Sequence, residues 1–311
     1  MRVIFFGNSS STFSNSLFGA LSRTEAHIVG AVDVPRGKSF TTTKGSAKEG
    51  EDFIRLAKEL GTTYFRPDSP NSERFILQCR SLQPHLFITA GYTQIFKDKI
   101  LSVPSLAAVN FHASLLPKYR GKHPVFWAIR NREKYSGITA HHLTDAIDEG
   151  DIILQRKVKV APQDTVSSLY SRIIKESSPL MQDLIKLGRS GNLPRQSQST
   201  GKASYYSSIK PSDYKVNWHE EAKSIEALVW AAEGKCFMET SAGRVCPEKV
   251  EVYTKEQKDI HPGQVELILP KLALVKAKDT FIKIDKVRWK GFAMSFYDFC
   301  TQNRIRSGDI L

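Results

Sequence analysis

No two of the four cysteines, Cys79, Cys236, Cys246 and Cys300, form a CxxC pair, and no histidine stands at finger spacing from them. Neither a zinc site nor a disulfide framework is suggested, and reduced, structural thiols are expected. Long apolar runs are also missing. None approaches the roughly 18 residues that a membrane span requires, and the chain opens directly on a strand-like run, Arg2 to Phe6, so a cytoplasmic setting without a membrane partner is expected. Glycine is scarce where a nucleotide would need it. The first strand is followed by GNSSS, which lacks the three-glycine spacing of a dinucleotide site, and no GK[ST] phosphate loop follows that strand. Nicotinamide, flavin and ATP chemistry therefore lose support.

What is present is enough for two domains. The 311 residues are 41% hydrophobic and 25% charged, which allows a sizeable core and exceeds the usual size of one domain. From Arg2 to Gly188, short β-rich runs (RVIFF, HIVGAV, TTYF, HLFITAG, AAVNFH) alternate with amphipathic stretches such as AKEGEDFIRLAKELG, the pattern of a parallel α/β sheet wrapped by helices. A long helical segment, TVSSLYSRIIKESSPLMQDLIKLG, is expected to end with Gly188 as its cap. Residues 189–208, rich in Ser and Gly and without periodicity, read as a linker. Residues 209–311 alternate strand-like runs and turns with no strong helix, the pattern of a small β-barrel domain.

Charge separates the two parts. Residues 1–208 hold 28 Lys and Arg against 17 Asp and Glu, whereas residues 209–311 hold 17 against 15. The excess in the first part suggests an anionic partner, either nucleic acid or a phosphorylated small molecule.

The stretch NFHASLLPKYRG, residues 110–121, departs from ordinary core or loop. An apolar run delivers Asn110 and His112 two residues apart, on one face of a strand and at the carboxyl end where open α/β sheets bind ligands. A second stretch, HHLTDAIDEGDII, places Asp145 and Asp148 in a loop between two strand-like runs, from which a carboxylate can face His112. The adjacent His141 and His142 point to opposite faces of their strand, so the pair does not ligate one metal ion, and no metal is expected. Taken singly, a histidine at a strand end or an acidic turn is more often structural than catalytic.

Together these residues resemble the 10-formyltetrahydrofolate-dependent formyltransferases. The signature is Asn-x-His-x-Ser-Leu-Leu-Pro, with Asp148 in Asp-x-Ile-Asp-x-Gly-Asp following 38 residues after Asn110. The segment ITAGYTQIF, residues 88–96, is similar to the hinge whose backbone meets the pterin in that family, which implies Gln94 and Phe96 as folate contacts. Asp145 is placed with them. The resemblance continues through ASYYSSIKPSDYKVNW to KGFAMSFYDFCTQNRIRSGDIL, which is similar to the end of the methionyl-tRNA formyltransferases, and it implies an OB-like C-terminal domain.

The implied chemistry accounts for the two side chains at the strand end. An amine attacking a formyl group produces an oxyanion, and Asn110 and His112 can both address one carbonyl. Asp148 would manage the proton, through water or by holding His112 protonated. Initiator tRNA is the first candidate acceptor. The resemblance implies an acceptor-stem loop at DVPRGKSFTTTKGSAK, residues 33–48, with Arg36 and Lys38 in contact and Lys44 and Lys48 behind. A cluster in the final barrel, Lys271, Lys276, Lys278, Lys283, Lys286, Arg288 and Lys290, agrees with a nucleic-acid backbone. The alternative is a nucleotide-linked amino sugar. YRGKHPVFWAIRN is similar to the sugar N-formyltransferases, and Lys118, Arg120 and Lys122 would suit a diphosphate. A nonenzymatic nucleic-acid-binding protein on the same fold would instead show a decayed site.

Overall fold

The computed structural model describes residues 1–35, 53–255 and 260–311, which divide into two compact units. The first comprises residues 1–125, 135–159 and 169–207, and the second residues 126–134, 160–168 and 208–311. Among the described residues no helix is long and apolar enough to cross a membrane.

The first unit is a seven-stranded sheet. Its strands are β1 (Arg2–Gly7), β2 (His27–Asp33), β3 (Thr63–Phe65), β4 (Leu86–Ala90), β5 (Ala107–His112) and, after the two-residue β6 (Arg120–Gly121), β7 (Tyr135–His142) and β8 (Ile152–Lys159). The order across the sheet is β3-β2-β1-β4-β5-β7-β8. The first five strands in that order pair in parallel, and β1 and β4 are buried along almost their whole length, as strands covered on both faces must be. Phe6 illustrates the packing, with its ring meeting those of Phe75, Phe87 and Phe96 edge-on at centroid distances of 5.0–6.3 Å.

The expectation of a parallel sheet needs one amendment. β7 runs antiparallel to β5, and β8 antiparallel to β7, so the two strand-like runs around the acidic loop form a hairpin. The register sets Asn110 opposite His141 and His112 opposite Thr139. This pairing brings the loop of residues 143–151 back over the end of β5.

Helices cover the sheet. They include α1 (Thr12–Ser22), α2 (Phe53–Glu59), α3 (Glu73–Ser81), α4 (Asp98–Leu101) and, after α5 (Pro124–Arg130), most of which belongs to the second unit, the 24-residue α6 (Val166–Arg189). Gly188 does not cap α6; it lies buried within the helix, where an added Cβ would come 3.0 Å from the Met1 sulfur. Gly191, at φ 73°, takes the left-handed position just beyond the end, and its amide donates to the Gly188 carbonyl. The segment expected as a linker is tied down as well. Gln196 exchanges two backbone hydrogen bonds with Ile152, and β9 (Tyr205–Tyr206) pairs in parallel with β6.

The second unit is an antiparallel six-stranded sheet, a half-barrel that agrees with an OB-like domain. It contains β10 (Met238–Thr240), β11 (Gly243–Tyr253), β12 (Val265–Leu269), β13 (Leu272–Lys276), β14 (Phe281–Trp289) and β15 (Phe292–Ser295). Two helices depart from the expected all-strand pattern, α7 (Ala222–Ala232) and α8 (Phe296–Gln302). In α7 the buried residues Ala222, Ile225, Leu228, Val229 and Ala232 recur at helical spacing within the run AKSIEALVWAA.

Candidate active site

The site is built where β4 and β5 end beside the hairpin. Thr89 of β4 is the register partner of Asn110, and its hydroxyl donates to Asn110 Oδ1 at 2.6 Å. That bond turns the Asn110 amide nitrogen toward the acidic loop. Asn110 Nδ2 donates to Asp148 Oδ1 at 3.2 Å and lies 3.1 Å from His141 Nε2. The other oxygen, Asp148 Oδ2, accepts from the Gly121 amide at 2.9 Å and lies 3.5 Å from His112 Nδ1. His112 Nε2 donates to the Tyr119 carbonyl at 2.7 Å, because a carbonyl can only accept. One carboxylate therefore joins Asn110, His112 and His141.

Asp148 holds this position through backbone geometry that few residues adopt. Its φ is 55°, in the left-handed region, which Asp tolerates better than most side chains. Gln198 supports it by donating from Nε2 to the carbonyls of Asp148, at 2.8 Å, and Gly150, at 2.7 Å. The glycine in Asp-Glu-Gly-Asp is required by close approach, since a Cβ at Gly150 would sit 1.8 Å from the His142 carbonyl oxygen. Gly121 is constrained in the same way, with φ 89° and the Tyr206 carbonyl oxygen 2.3 Å from where a Cβ would stand.

The electrostatics follow from this geometry. Burial alone would push the Asp148 carboxyl upward; the neighbouring His112, His141 and the Gly121 amide outweigh it and hold the group well below the ordinary carboxylate range. Asp148 is thus ionised. His142 faces the other way, donating to the Pro194 carbonyl, and burial pushes its imidazole below the ordinary value.

The other expected positions divide. Gln94 lies on the loop after β4 and is held by Tyr92, whose hydroxyl donates to Gln94 Oε1, and by the Asp68 carbonyl, which accepts from Nε2. The Phe96 ring packs on Phe6 and Tyr92, and the residue is 4% exposed. Asp145 is exposed on the hairpin loop and shares none of the hydrogen bonds that join Asp148 to its neighbours. Arg36, Lys38, Lys44 and Lys48 lie outside the described residues.

Three contributors had no motif to announce them: Thr89, His141 and Gln198. The alternation of β7 was enough to separate His141 from His142, and the spacing of Asn110 on β5 gave no register for bringing the two side chains together. Arg120, considered for a diphosphate, is 9% exposed; its Nε and Nη2 donate to Gln198 Oε1, and its Nη1 pairs with Glu149 at 3.1 Å. Arg120 therefore braces the loop. Lys118 and Lys122 are exposed.

The first strand's loop is likewise spent internally. Ser9 donates from both its amide and its hydroxyl to the fully buried Asp33, which also accepts from Val34, Tyr64 and Arg66.

Comparison with known proteins gives a consistent result. The formyl transferase pattern matches residues 1–185, and that of the formyl transferase C-terminal domain matches residues 208–304. The chain is 28% identical to a methionyl-tRNA formyltransferase of Ruminiclostridium cellulolyticum over 320 residues, covering 100% of this chain and 99% of that one. It is 27% identical to a methionyl-tRNA formyltransferase of Thermotoga maritima over 294 residues, covering 94% and 91%. In fold it is similar to an N-formyltransferase from Helicobacter canadensis solved with folinic acid and dTDP-3-aminofucose, with a TM-score of 0.66 at 17% identity, covering 91% of this chain and 98% of that one.

Proposed function

Since the chain belongs to the formyl transferase family, we propose that this formyltransferase carries the formyl group of 10-formyltetrahydrofolate to the amino group of methionyl initiator tRNA. The observation that supports the chemistry most is the convergence of Asn110, His112 and His141 on the single ionised carboxylate of Asp148. The choice of acceptor is supported by relatives named methionyl-tRNA formyltransferase along the full length of the chain.

In this reading the backbone of Gln94 and Phe96 receives the pterin beside the end of β5, with Asp145 on the facing loop. The acceptor amine attacks the formyl carbon, and charge gathers on the formyl oxygen. Asn110 stabilises it through an amide N–H, and His112 by turning to it the Nε2–H that otherwise donates to the Tyr119 carbonyl. Asp148 receives the proton that the attacking nitrogen sheds, and the departing folate nitrogen regains one. The acceptor stem is taken by the segment carrying Arg36, Lys38 and Lys44. A protein that had lost catalysis would have no reason to keep four polar side chains in mutual contact at a strand end.

The test is single-turnover transfer from 10-formyltetrahydrofolate to charged initiator tRNA. Asn110→Ala and His112→Ala should each slow it by about a hundredfold or more, the usual cost of losing an oxyanion donor, with folate affinity largely kept. Near-wild-type transfer by either variant removes that residue from the mechanism.

A further inference from the structure

The two amide hydrogens of Asn110 are both engaged, which conflicts with a role at an oxyanion. Ionised Asp148 can only accept, so the face of Asn110 toward it must be the nitrogen, and the Thr89 hydroxyl on Oδ1 agrees. One hydrogen goes to Asp148 Oδ1 and the other points at His141 Nε2, 3.1 Å away. The opposite nitrogen, His141 Nδ1, lies 2.9 Å from the His142 carbonyl and must donate to it. Because the amide nitrogen of Asn110 donates and does not accept, a hydrogen bond from it requires His141 Nε2 to be bare. The same nitrogen is 3.4 Å from Asp148 Oδ1, toward which it can donate only when it carries a proton.

We propose that His141 is a positioning residue that exchanges one hydrogen-bonding site with Asn110. Bare Nε2 holds the second Asn110 N–H, and protonated Nε2 turns to Asp148 and releases that N–H to the formyl oxygen. The proposal deepens the formyl-transfer reading and rests on it.

The step balances. The amine lone pair forms a C–N bond as the carbonyl π pair moves onto oxygen. The ammonium proton passes to Asp148 and on to His141 Nε2, and the freed Asn110 N–H meets the oxyanion. On collapse the oxygen pair re-forms the carbonyl, the bond from carbon to the folate nitrogen breaks, and the stored proton returns to that nitrogen. His141 is 2% exposed, so the proton reaches it through Asp148. The titratable groups against it are Asp148 from the loop, His142 on its own strand, and His112 of β5 across the carboxylate. Burial keeps His142 from adding a competing charge.

Two substitutions separate this exchange from simple packing. Glutamine at position 141 offers an oxygen that accepts from Asn110 and does not take up a proton, whereas methionine fills space and does neither. Both His141→Gln and His141→Met should bind folate and charged initiator tRNA as the wild type does, and transfer about a hundredfold more slowly in single turnover. Full activity in His141→Gln overturns the proposal, because acceptance alone would then suffice.

A measurement on the wild-type protein needs no acceptor. Nitrogen NMR should show His141 protonated on Nδ1 and bare on Nε2, with both Asn110 side-chain hydrogens slow to exchange. A protonated Nε2 or a freely exchanging Asn110 hydrogen in the ligand-free protein overturns the proposal. Failure of the wild type itself to formylate the tRNA would instead defeat the acceptor assignment, a separate result.

Discussion

Asp148 carries the greatest share of the site's order, because two hydrogen-bond donors and two imidazoles meet at its oxygens. Its depressed pKa has a thermodynamic consequence. A carboxyl whose folded-state pKa lies below its unfolded value stabilises the fold above the unfolded value, and that contribution is lost as pH falls through the folded one. For Asp148 the upper edge of the window is the ordinary aspartate value of 3.8. Asp148→Asn should therefore be less stable than the wild type at neutral pH, by a margin that stays constant down to that edge and narrows in more acid solution. Denaturant melts across pH measure the margin, and a gap that is the same at every pH would mean that the charge is not what the site stabilises. The same variant should retain its fold and lose transfer by roughly a hundredfold or more, since the proton loses its first acceptor.

The strap of residues 194–206 makes a part of the sequence with no periodicity essential to the site. Ser204 takes the Tyr119 amide on its hydroxyl and the Arg120 amide on its carbonyl, while Gln198 links the Asp148 loop to the Arg120 guanidinium. Gln198→Ala should leave two carbonyls and a buried guanidinium short of partners, costing about 1–3 kcal/mol in unfolding free energy. Transfer should fall with folate affinity unchanged, because the backbone of Asp148 loses its brace; equal turnover in a folded variant would reduce the strap to a tether. Nothing in the polar composition of this segment reveals the arrangement, since backbone bridges and one glutamine leave no pattern. The strands were legible for the opposite reason: Val3 to Phe6, and Leu86 to Ala90 apart from Thr89, are apolar runs, as buried parallel strands must be. The spacing of Asn110 and His112 and the acidic loop also stood out. Their meeting did not, because it depends on β7 being antiparallel and on the Asn110–His141 register, and strand direction has no local signature.

Over the whole molecule, the basic balance narrows once side chains find partners. In the second unit Lys283 pairs with Glu251 and Asp285, Lys286 and Arg288 pair with Glu248, and Lys276 is buried against Phe281. The barrel's apparent cluster is thus largely neutralised, leaving exposed Lys271, Lys278 and Lys290 as its stronger candidates for a phosphate backbone. The charge excess lies in residues 1–208, which include the segment carrying Arg36, Lys38 and Lys44. That distribution favours a polyanion approaching the first unit over general adhesion to the barrel. The most direct measurement supplies the wild-type protein with 10-formyltetrahydrofolate, charged initiator tRNA and a nucleotide-linked amino sugar together, and identifies by mass which amine gains the formyl group. The account predicts formylation of the methionyl group on the tRNA and an unchanged sugar; formylation of the sugar with the tRNA untouched would contradict it.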